Sequence, residues 1–375
     1  MKLVIGLALI PWVAMLWPAP SPPVRVIVSG NWNGKLSPCG CTKPMQGGIR
    51  RWATLVRAAG ESSKVALLSV GSLSRGTGPQ ATFKLETLAE LLGELEVDAL
   101  ALSRGDKAVA PEAAETVARF VGKGLLADAQ TKTVNGIRVS ASATAKPDVL
   151  LFDGPREEAV KLAEAGSAKV IVFRSDDKPL TEPLRVGGSW LLSPGFEGKH
   201  FVSFAWDGKH LTDYTVRSLG PEVADDKLAA SFFLTYQIRV DRAGLIEAMP
   251  RIKTDPFAGT KTCGSCHSHA LDVWEKSRHA HALKTLEKDG HARDPDCLGC
   301  HVVGLESVEG FRTRDKTPDL ADVGCESCHG PGLAHAKTPM EVRMPKVEPK
   351  GCVTCHDPNN SPNFNFETYW KRIQH

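Results

Sequence analysis

Short apolar runs and amphipathic segments alternate along residues 24–220. The apolar runs are bounded by small or turn-forming residues and predict buried strands beginning at Val24, Lys64, Val97, Pro147 and Lys169. Apolar residues recur three and four positions apart within residues 47–60, 81–95 and 111–122, and this spacing predicts helices there. Because strands and helices follow each other in turn, residues 21–220 are predicted to form a layered α/β domain.

The rest of the chain has a different pattern. Residues 201–216 predict a β-hairpin that turns at Asp207 and Gly208. Residues 221–255 predict a helical linker, because residues 226–249 have helical periodicity. From Thr262 onward, His, Cys, Gly and Pro replace the apolar runs, which predicts a second domain of helices and loops over residues 256–375. Within it, only residues 270–288 have the pattern of a helix of any length.

Composition narrows the class of protein. The 375 residues are enough for two domains. Hydrophobic residues make up 42% and charged residues 24%, which excludes a disordered chain, a collagen-like chain and a polytopic membrane protein. The 46 basic and 43 acidic residues give a net charge of +3 without a long basic run, so nucleic acid is not an expected partner.

Residues 1–20 have the features of an export signal. They contain one lysine, an apolar run over residues 3–17 and a proline-rich stretch. The run is shorter than the ~20 residues of a spanning helix, and Pro11 interrupts it. We therefore expect a signal peptide or an N-terminal anchor, a location in the periplasm or cell envelope, and membrane contact only through such an anchor.

Eight of the ten cysteines lie in the last 113 residues, in four Cys-x-x-Cys-His motifs. The cysteine pairs are Cys263 and Cys266, Cys297 and Cys300, Cys325 and Cys328, and Cys352 and Cys355. In this motif two thiols add to the vinyl groups of one porphyrin while the adjacent imidazole binds its iron. Zinc knuckles and redox dithiols also use Cys-x-x-Cys, but neither explains a histidine after every motif. The sequence therefore predicts four covalently attached haem c groups, which must supply the core that so short a domain lacks.

The histidines that complete the motifs are the predicted first iron ligands: His267, His301, His329 and His356. Second ligands are left open among Met340, Met344 and six further histidines of this domain, His269, His279, His281, His291, His335 and His375. His279 and His281 lie two apart on a predicted helix and cannot face one iron, and His269 is too close to His267 to reach over the same ring. Paired imidazoles would give low reduction potentials. His200 and His210, in the first domain, are expected to be surface or turn residues.

The second domain resembles the tetrahaem cytochrome c-554 family. Beyond the haem motifs, the resemblance lies in Trp-x-x-Ser-x-His at residues 274–279, Gly-Pro-Gly at 330–332 and Tyr-Trp-x-x-Ile-x-His at 369–375. It implies stacked haems that carry electrons in a respiratory chain outside the cytoplasm. It also implies distal ligand roles for His279, His335 and His375, and one five-coordinate haem. We expect other redox proteins of the cell envelope as partners.

The first domain, over about 200 residues, is similar to the 5′-nucleotidase-like metallophosphatase fold, and residues 29–41 and 47–56 carry the resemblance. The first motif of that family is Asp-x-His-Gly, whereas this chain has Asn31 and Asn33 before Gly34. Ser72 replaces the acidic residue expected after the second strand, and Asp106 is the counterpart of the third motif. Neutral amides hold two dications poorly, so the resemblance implies an accessory domain without hydrolase activity.

Two questions stay open. Cys39 and Cys41 fit a plain loop, a redox pair or strained disulfide, or two ligands of a metal. For the whole chain, electron transfer is the leading hypothesis. The alternatives are a multihaem oxidoreductase that acts on a small nitrogen or sulfur compound at a five-coordinate haem, and a metal-dependent phosphoesterase with a cytochrome appendage.

Overall fold

The computed structural model describes residues 22–38, 45–60, 65–175, 178–358 and 360–375. The predicted export signal at residues 1–20 and the cysteines Cys39 and Cys41 lie outside the described residues. Within the described ranges, no helix combines the length and the apolar character needed to span a membrane.

Eleven strands form two sheets in the described part of the chain. They are β1 (Val24–Ser29), β2 (Val65–Ser69), β3 (Ala99–Leu100), β4 (Thr131–Val134), β5 (Ile137–Ser140), β6 (Val149–Phe152), β7 (Val170–Phe173), β8 (Leu184–Val186), β9 (Ser189–Leu192), β10 (His200–Trp206) and β11 (Leu211–Ser218). The first sheet has the order β11-β10-β1-β2-β3, in which β1, β2 and β3 are parallel and β10 is antiparallel to both neighbours. The second has the order β4-β5-β6-β7-β9-β8, with a parallel centre and an antiparallel strand at each edge.

The helices differ in length between the two parts of the chain. Those before residue 250 are α1 (Ile49–Gly60), α2 (Pro79–Glu94), α3 (Arg104–Lys107), α4 (Ala113–Val121), α5 (Arg156–Glu164), α6 (Lys227–Arg242) and α7 (Leu245–Ala248). The later ones are short: α8 (Thr260–Cys266), α9 (Ser268–Glu275), α10 (Ala282–Asp289), α11 (Pro295–Leu298), α12 (Cys325–His329), α13 (Leu333–Lys337), α14 (Pro349–Cys352) and α15 (Phe366–Trp370). 3-10 helices lie at Gly122–Gly124, Ala143–Ala145, Arg278–His281 and Pro318–Leu320.

The first domain is built of four layers. Successive side chains of a strand point to opposite faces, so Val26 and Val28 of β1 pack between the two sheets with Val149 and Val170 of the second sheet. On the other face of the first sheet, Ile27 packs with residues of α1, α2, α4 and α6. Helix α5 covers the second sheet. The predicted layered α/β domain is confirmed, because each sheet is apolar on both faces and needs cover on both.

Most individual elements of this domain were predictable. The five predicted strands, the three predicted helices and the hairpin β10–β11 are all present, although the strand predicted at Val97 is limited to Ala99–Leu100. The sequence analysis missed β4, β5, β8 and β9, each at most four residues long. Strands such as β4, whose outer positions are exposed, have no continuous apolar run to reveal them.

Helix α6 lies in the segment predicted as a linker. Asp226 caps it by accepting a hydrogen bond from the Ala229 N–H at 2.8 Å. Phe233, Tyr236 and Val240, spaced three and four apart, are buried in the cluster that contains α1 and α2. Helix α6 therefore completes the helical layer over the first sheet.

The single helix predicted over residues 270–288 is wrong. The segment forms α9, a 3-10 turn at Arg278–His281 and α10. A distant segment of the chain causes the break: Val323 accepts a hydrogen bond from the Trp274 indole at 2.7 Å and donates its N–H to the His279 carbonyl at 3.1 Å. Asp322 then caps α10 by accepting from the Leu283 N–H at 2.8 Å. Periodicity within a segment cannot reveal a partner so far away in sequence.

The two domains meet at a buried carboxylate. Asp294 is 6% exposed and accepts hydrogen bonds from Gln80 Nε2 at 2.8 Å and from the Tyr236 hydroxyl at 3.1 Å. It also caps α11, accepting from the Asp296 N–H at 3.0 Å. Beside it, Lys84 Nζ and Asp296 form an ion pair at 2.5 Å. Because α11 contains the first cysteine of the second motif, the first domain holds the start of that motif in place.

Candidate functional site

Each Cys-x-x-Cys-His motif begins in a short helix. The first cysteines of the four motifs lie in α8, α11, α12 and α14. Cysteines three residues apart on a helical turn project from the same side. The following histidine stays within the turn: the His267 N–H donates to the Cys263 carbonyl at 3.0 Å, and the His356 N–H donates to the Cys352 carbonyl at 2.9 Å. The local fold thus keeps two thiols and one imidazole close together.

Three of the four motif histidines face a second imidazole. The ring centroids are 6.3 Å apart for His267 and His335, 6.1 Å for His356 and His279, and 6.0 Å for His329 and His375. Each pair joins a motif histidine to one of the three histidines for which the cytochrome resemblance implies a distal role. The sequence analysis had left open which of them serves which motif.

The spacing within the pairs fits an iron atom between two rings. A metal–imidazole bond is about 2 Å long, so rings on opposite sides of one metal have centroids about 6 Å apart. Zinc does not fit as well, because a structural zinc site needs four protein ligands. In the described ranges, no group of three or more His, Cys, Asp or Glu side chains is arranged to hold a metal ion.

The second domain has a small apolar cluster between residues 283 and 321, which the sequence analysis did not expect, but the exposure of the described residues within 333–375 fits a large apolar prosthetic group. Among the described residues from 333 to 375, Ser361 is the only buried one. Val353 is 52% exposed although it lies inside the fourth motif. A segment as short as residues 333–375 needs buried apolar surface to stay folded. Porphyrin faces between the imidazole pairs would supply that surface.

Burial also favours the protonation state that binds iron. It lowers the pKa values of His279, His329 and His356. A lowered pKa keeps the imidazole neutral at physiological pH, and metal binding requires the neutral ring. The protein environment therefore prepares these rings as ligands.

The second motif is different from the other three. Among the described residues, no second imidazole faces His301 in a ring pair. The His301 Nδ1 lies 2.7 Å from the Ala282 carbonyl, a contact that fixes the ring and leaves Nε2 for a metal. Of the other histidines, His291 packs against Phe233, with ring centroids 5.1 Å apart, while His269 and His281 are exposed.

The remaining predictions for isolated residues have mixed outcomes. Met340 is 91% exposed and pairs with no motif histidine among the described residues. Met344 lies against Gly332. His210 is at the hairpin turn as expected, with its Nδ1 2.9 Å from Asp207 Oδ2. His200 is in β10 and half-buried, and burial lowers its pKa.

Thiols of different motifs lie near one another. Cys263 of the first motif is within hydrogen-bonding reach of Cys325 of the third. Cys355 of the fourth motif is in the same relation to Cys300 of the second. Cys328 of the third motif interacts electrostatically with Cys352 and Cys355 of the fourth. The motifs are therefore adjacent in the spatial order first, third, fourth, second.

Glu326 joins the first motif to the third. It is 5% exposed, and its carboxylate accepts hydrogen bonds from the backbone N–H groups of Ala258 at 2.7 Å, Gly259 at 2.8 Å and Gly332 at 2.7 Å. Gly259 precedes α8, so this carboxylate fixes the start of the first motif. Sequence reasoning singled out neither Glu326 nor Asp294. Asp294 was detectable, because Asp before Pro at the start of a helix is a common cap signal.

In the first domain, the side chains at the positions of the phosphatase-like motif form hydrogen bonds with other groups of the protein. Asn31 is fully buried, and its amide donates to the carbonyls of Ser175 at 2.5 Å and Gly195 at 3.0 Å. The Asn33 Oδ1 accepts from the Ser72 hydroxyl at 3.0 Å. A carboxylate at position 31 would face two carbonyl oxygens with no hydrogen to offer. The amide suits this environment and an acid does not.

Asp106 is likewise a structural residue. One carboxylate oxygen accepts from the N–H groups of Leu73 at 2.6 Å and Ser74 at 3.0 Å, and the other accepts from the N–H and hydroxyl of Ser103 at 3.0 and 2.8 Å. Desolvation raises its pKa despite these bonds. Both oxygens therefore hold the loop after β2 and the start of α3.

Comparison with known proteins gives a match to the second domain. Residues 262–330 match the family described as cytochrome c554 and c-prime. Cytochrome c-554 of Nitrosomonas europaea is 37% identical over 92 residues, which cover 20% of this chain and 39% of that protein. The chain thus spans about two-fifths of the length of the curated relative that it matches. The C-terminal domain resembles this family, as its motifs predict.

Solved structures give matches to the fold of the first domain. A sulfate thiohydrolase, SoxB, from Thermus thermophilus has a TM-score of 0.48 and 13% identity, and the match covers 68% of each chain. A 5′-nucleotidase precursor, also from Thermus thermophilus, has a TM-score of 0.46 and 15% identity over 72% of this chain and 68% of that one. The calcineurin-like phosphoesterase YfkN from Bacillus subtilis has a TM-score of 0.46 and 12% identity over 59% of this chain and 98% of that one.

Proposed function

We propose that this chain is an exported c-type cytochrome that carries four covalently attached haem c groups and transfers electrons between redox proteins of the cell envelope. Its first domain is a phosphatase-like accessory domain without hydrolase activity. The observation that carries the proposal is the set of three imidazole pairs, each containing a motif histidine, at centroid distances of 6.0 to 6.3 Å. The haem groups, when bound, supply one-electron redox chemistry.

The chain's own residues set the ligation of each site. In this proposal the iron ligands are His267 with His335, His329 with His375, His356 with His279, and His301 alone. Two imidazoles stabilise ferric iron, so the three paired sites have low reduction potentials. The proximity of thiols from neighbouring motifs supports a series of adjacent sites, as transfer through the domain requires.

Two arguments support export. Covalent haem attachment takes place outside the cytoplasm in the bacterial envelope, and residues 1–20 have the composition of an export signal. The apolar run and proline-rich exit of that segment match a signal or anchor. Partners that exchange electrons with the chain would then belong to the same compartment.

The decisive experiment is mass analysis of the mature holoprotein together with reduced-minus-oxidised spectra. We expect four covalently bound haems in the wild type and three after Cys352→Ala with Cys355→Ala. Ser265→Ala, which changes the first motif at a position that forms no thioether, should leave four. An unmodified polypeptide, or one loaded with zinc, would refute the proposal.

A second function is favoured by one observation, the absence of a facing imidazole at His301 among the described residues. A haem held there from one side could bind and transform a small nitrogen or sulfur compound. Paramagnetic resonance of the ferric holoprotein distinguishes the two functions. A high-spin signal that shifts on adding nitrite or nitric oxide, with turnover, indicates the enzyme, whereas a signal unaffected by either compound indicates an electron carrier only.

The inactivity of the first domain is supported by the contacts of Asn31 and Asp106. Dinuclear phosphatase chemistry needs carboxylates and imidazoles free to hold two cations. Here the Asn31 amide donates to carbonyls, and both Asp106 oxygens accept from the backbone and from Ser103. We expect no phosphate release from nucleotides in the presence of manganese. Turnover that depends on manganese would overturn this part of the proposal.

A further inference from the structure

The motif histidines differ in the group to which their rings are bonded. The His301 Nδ1 lies 2.7 Å from a backbone carbonyl, and His329 is hydrogen-bonded to the backbone carbonyl of Pro345. The His356 Nδ1 lies instead 3.1 Å from the Ser361 hydroxyl. In the described part of the chain, a side-chain oxygen thus takes the place at the fourth motif that a peptide oxygen takes at the second and third.

The turn that follows the fourth motif holds this hydroxyl in place. The Ser361 N–H donates to the Asp357 carbonyl at 2.8 Å, and the Phe364 N–H donates to the Ser361 carbonyl at 2.8 Å. Ser361 is 2% exposed, whereas the next two residues, Pro362 and Asn363, are exposed. The backbone therefore turns the Ser361 side chain inward, toward the imidazole.

Two aromatic rings fix the plane of the His356 imidazole. Phe364 stacks on it, with ring centroids 4.7 Å apart and 12° between the planes, and Tyr369 meets it edge-on at 5.6 Å. Phe364 and Tyr369 also contact each other, with centroids 5.0 Å apart, so the three rings form one unit. Rotation of the imidazole away from Ser361 would break these contacts, and the ring and the hydroxyl therefore stay aligned.

The hydrogen on the ring sets the direction of this bond. A neutral imidazole that binds a metal through Nε2 keeps its hydrogen on Nδ1, so His356 donates and Ser361 Oγ accepts. Such a bond makes a metal-bound ring more basic, and a more basic ligand stabilises ferric iron more than ferrous iron. A hydroxyl accepts less strongly than a peptide carbonyl, because amide resonance places negative charge on the carbonyl oxygen.

We propose that Ser361 is a positioning residue that tunes the reduction potential of the fourth haem site through the Nδ1 hydrogen of His356. This inference rests on the proposed function, because it requires iron between His356 and His279. The hydrogen bond lowers the potential of this site. Because the acceptor is a hydroxyl, it lowers the potential less than a backbone carbonyl would.

The test is a spectroelectrochemical redox titration of the full-length holoprotein and of Ser361→Ala. The substitution removes one oxygen atom and keeps both backbone hydrogen bonds of residue 361, so circular dichroism should show an unchanged fold. We expect one of the four potentials to rise, with the reduction equilibrium of that haem shifted about tenfold, or about 59 mV for one electron, toward the ferrous form. Ser361→Thr, which keeps a hydroxyl, should have the wild-type potential.

Paramagnetic resonance of the ferric proteins assigns the affected haem. In Ser361→Ala, we expect one low-spin signal to change its g values. His279→Ala removes the imidazole that faces His356 and should convert this same signal to high spin. A change in a different low-spin signal would place the effect at another motif and overturn the inference.

The matched control is Thr354→Ala, which removes a hydroxyl from within the fourth motif. Thr354 donates to the Gly351 carbonyl at 2.8 Å rather than contacting an imidazole, so all four potentials should be unchanged. The inference is overturned if Ser361→Ala leaves every potential unchanged or lowers one, or if Thr354→Ala or Ser361→Thr has the same effect as Ser361→Ala.

Mass analysis of the same samples separates this inference from the proposed function. Fewer than four covalently bound haems in the wild type would refute the proposed function. Four bound haems with potentials that Ser361→Ala does not move would refute only the role of Ser361.

Discussion

Asp294 links the two domains, and its removal provides a direct test of that link. In Asp294→Ala three donors lose their acceptor: Gln80 Nε2, the Tyr236 hydroxyl and the Asp296 N–H. The first two belong to the first domain and the third belongs to the helix that begins the second motif. The substitution therefore acts on the interface and on the haem motif together.

The size of the effect follows from burial. Tyr236 is 1% exposed, so its hydroxyl cannot turn to water when the carboxylate is removed. A buried donor left unsatisfied costs roughly 1–3 kcal/mol, and losing the buried charge itself returns part of that. We expect Asp294→Ala to lower the free energy of unfolding by about 2–4 kcal/mol.

Asp294→Asn separates charge from hydrogen bonding. Its amide oxygen can accept from Gln80 and the Asp296 N–H, but its amide nitrogen faces the Tyr236 hydroxyl, whose hydrogen then has no acceptor, so the cost should be roughly 1–3 kcal/mol. Desolvation raises the pKa of Asp294, so the native state binds the proton more tightly than the unfolded state does. This group therefore stabilises the fold most below its unfolded pKa, and the contribution declines as pH rises through the native value. The asparagine variant should lack that decline.

The assay is urea unfolding of the holoprotein, followed by far-ultraviolet circular dichroism for the first domain and by haem absorbance for the second. Asp241→Ala is the matched control, because Asp241 pairs with Arg293 at the same interface at 3.4 Å and both side chains are 54% exposed. It should change stability by less than about 0.5 kcal/mol. If Asp294→Ala is as mild as this control, Asp294 does not join the domains.

Three further variants test the haem sites and the accessory domain. His375→Ala should convert one low-spin haem to high spin in paramagnetic resonance, while the exposed His269→Ala should not; identical spectra would contradict the ring pairing. Glu326→Ala should lower the urea midpoint by an amount equivalent to about 2–4 kcal/mol, because three backbone donors lose their acceptor. An unchanged midpoint would show that the Glu326 carboxylate does not hold the first and third motifs together. Asn31→Asp should destabilise the first domain by about 2–4 kcal/mol, with Asn135→Asp as an exposed control, and rescue by manganese would reveal a metal site.

The sequence was most informative where local pattern alone determines structure. The apolar run at Val24 became β1 because Val26, Ile27 and Val28 are consecutive and buried, so both faces of the strand are apolar at its centre. The spacing of Phe233, Tyr236 and Val240 likewise gave a helix, with its apolar side buried. The short edge strands escaped detection because one of their faces is exposed and their runs are brief.

Contacts between distant segments were beyond sequence reasoning. The break between α9 and α10 depends on residues 322–323, and the pairing of His329 with His375 depends on how the end of the chain folds back. The cysteine motifs predict haem attachment from the sequence alone, because that chemistry needs their spacing. The histidines that face three of the motifs have no such local signal, so only the fold reveals the ring pairs.

Packing and interdomain contacts hold the second motif, whereas each of the other three motifs has a histidine that faces a second imidazole. Leu298, Val302 and Val303 around it are buried in the apolar cluster of the second domain. The first domain adds the Asp294 hydrogen bonds and the Lys84–Asp296 ion pair on the opposite side of α11. The first domain therefore contacts the one motif whose histidine has no facing imidazole among the described residues: Gln80 and Lys84 of its second helix bond to Asp294 and Asp296 at the start of α11.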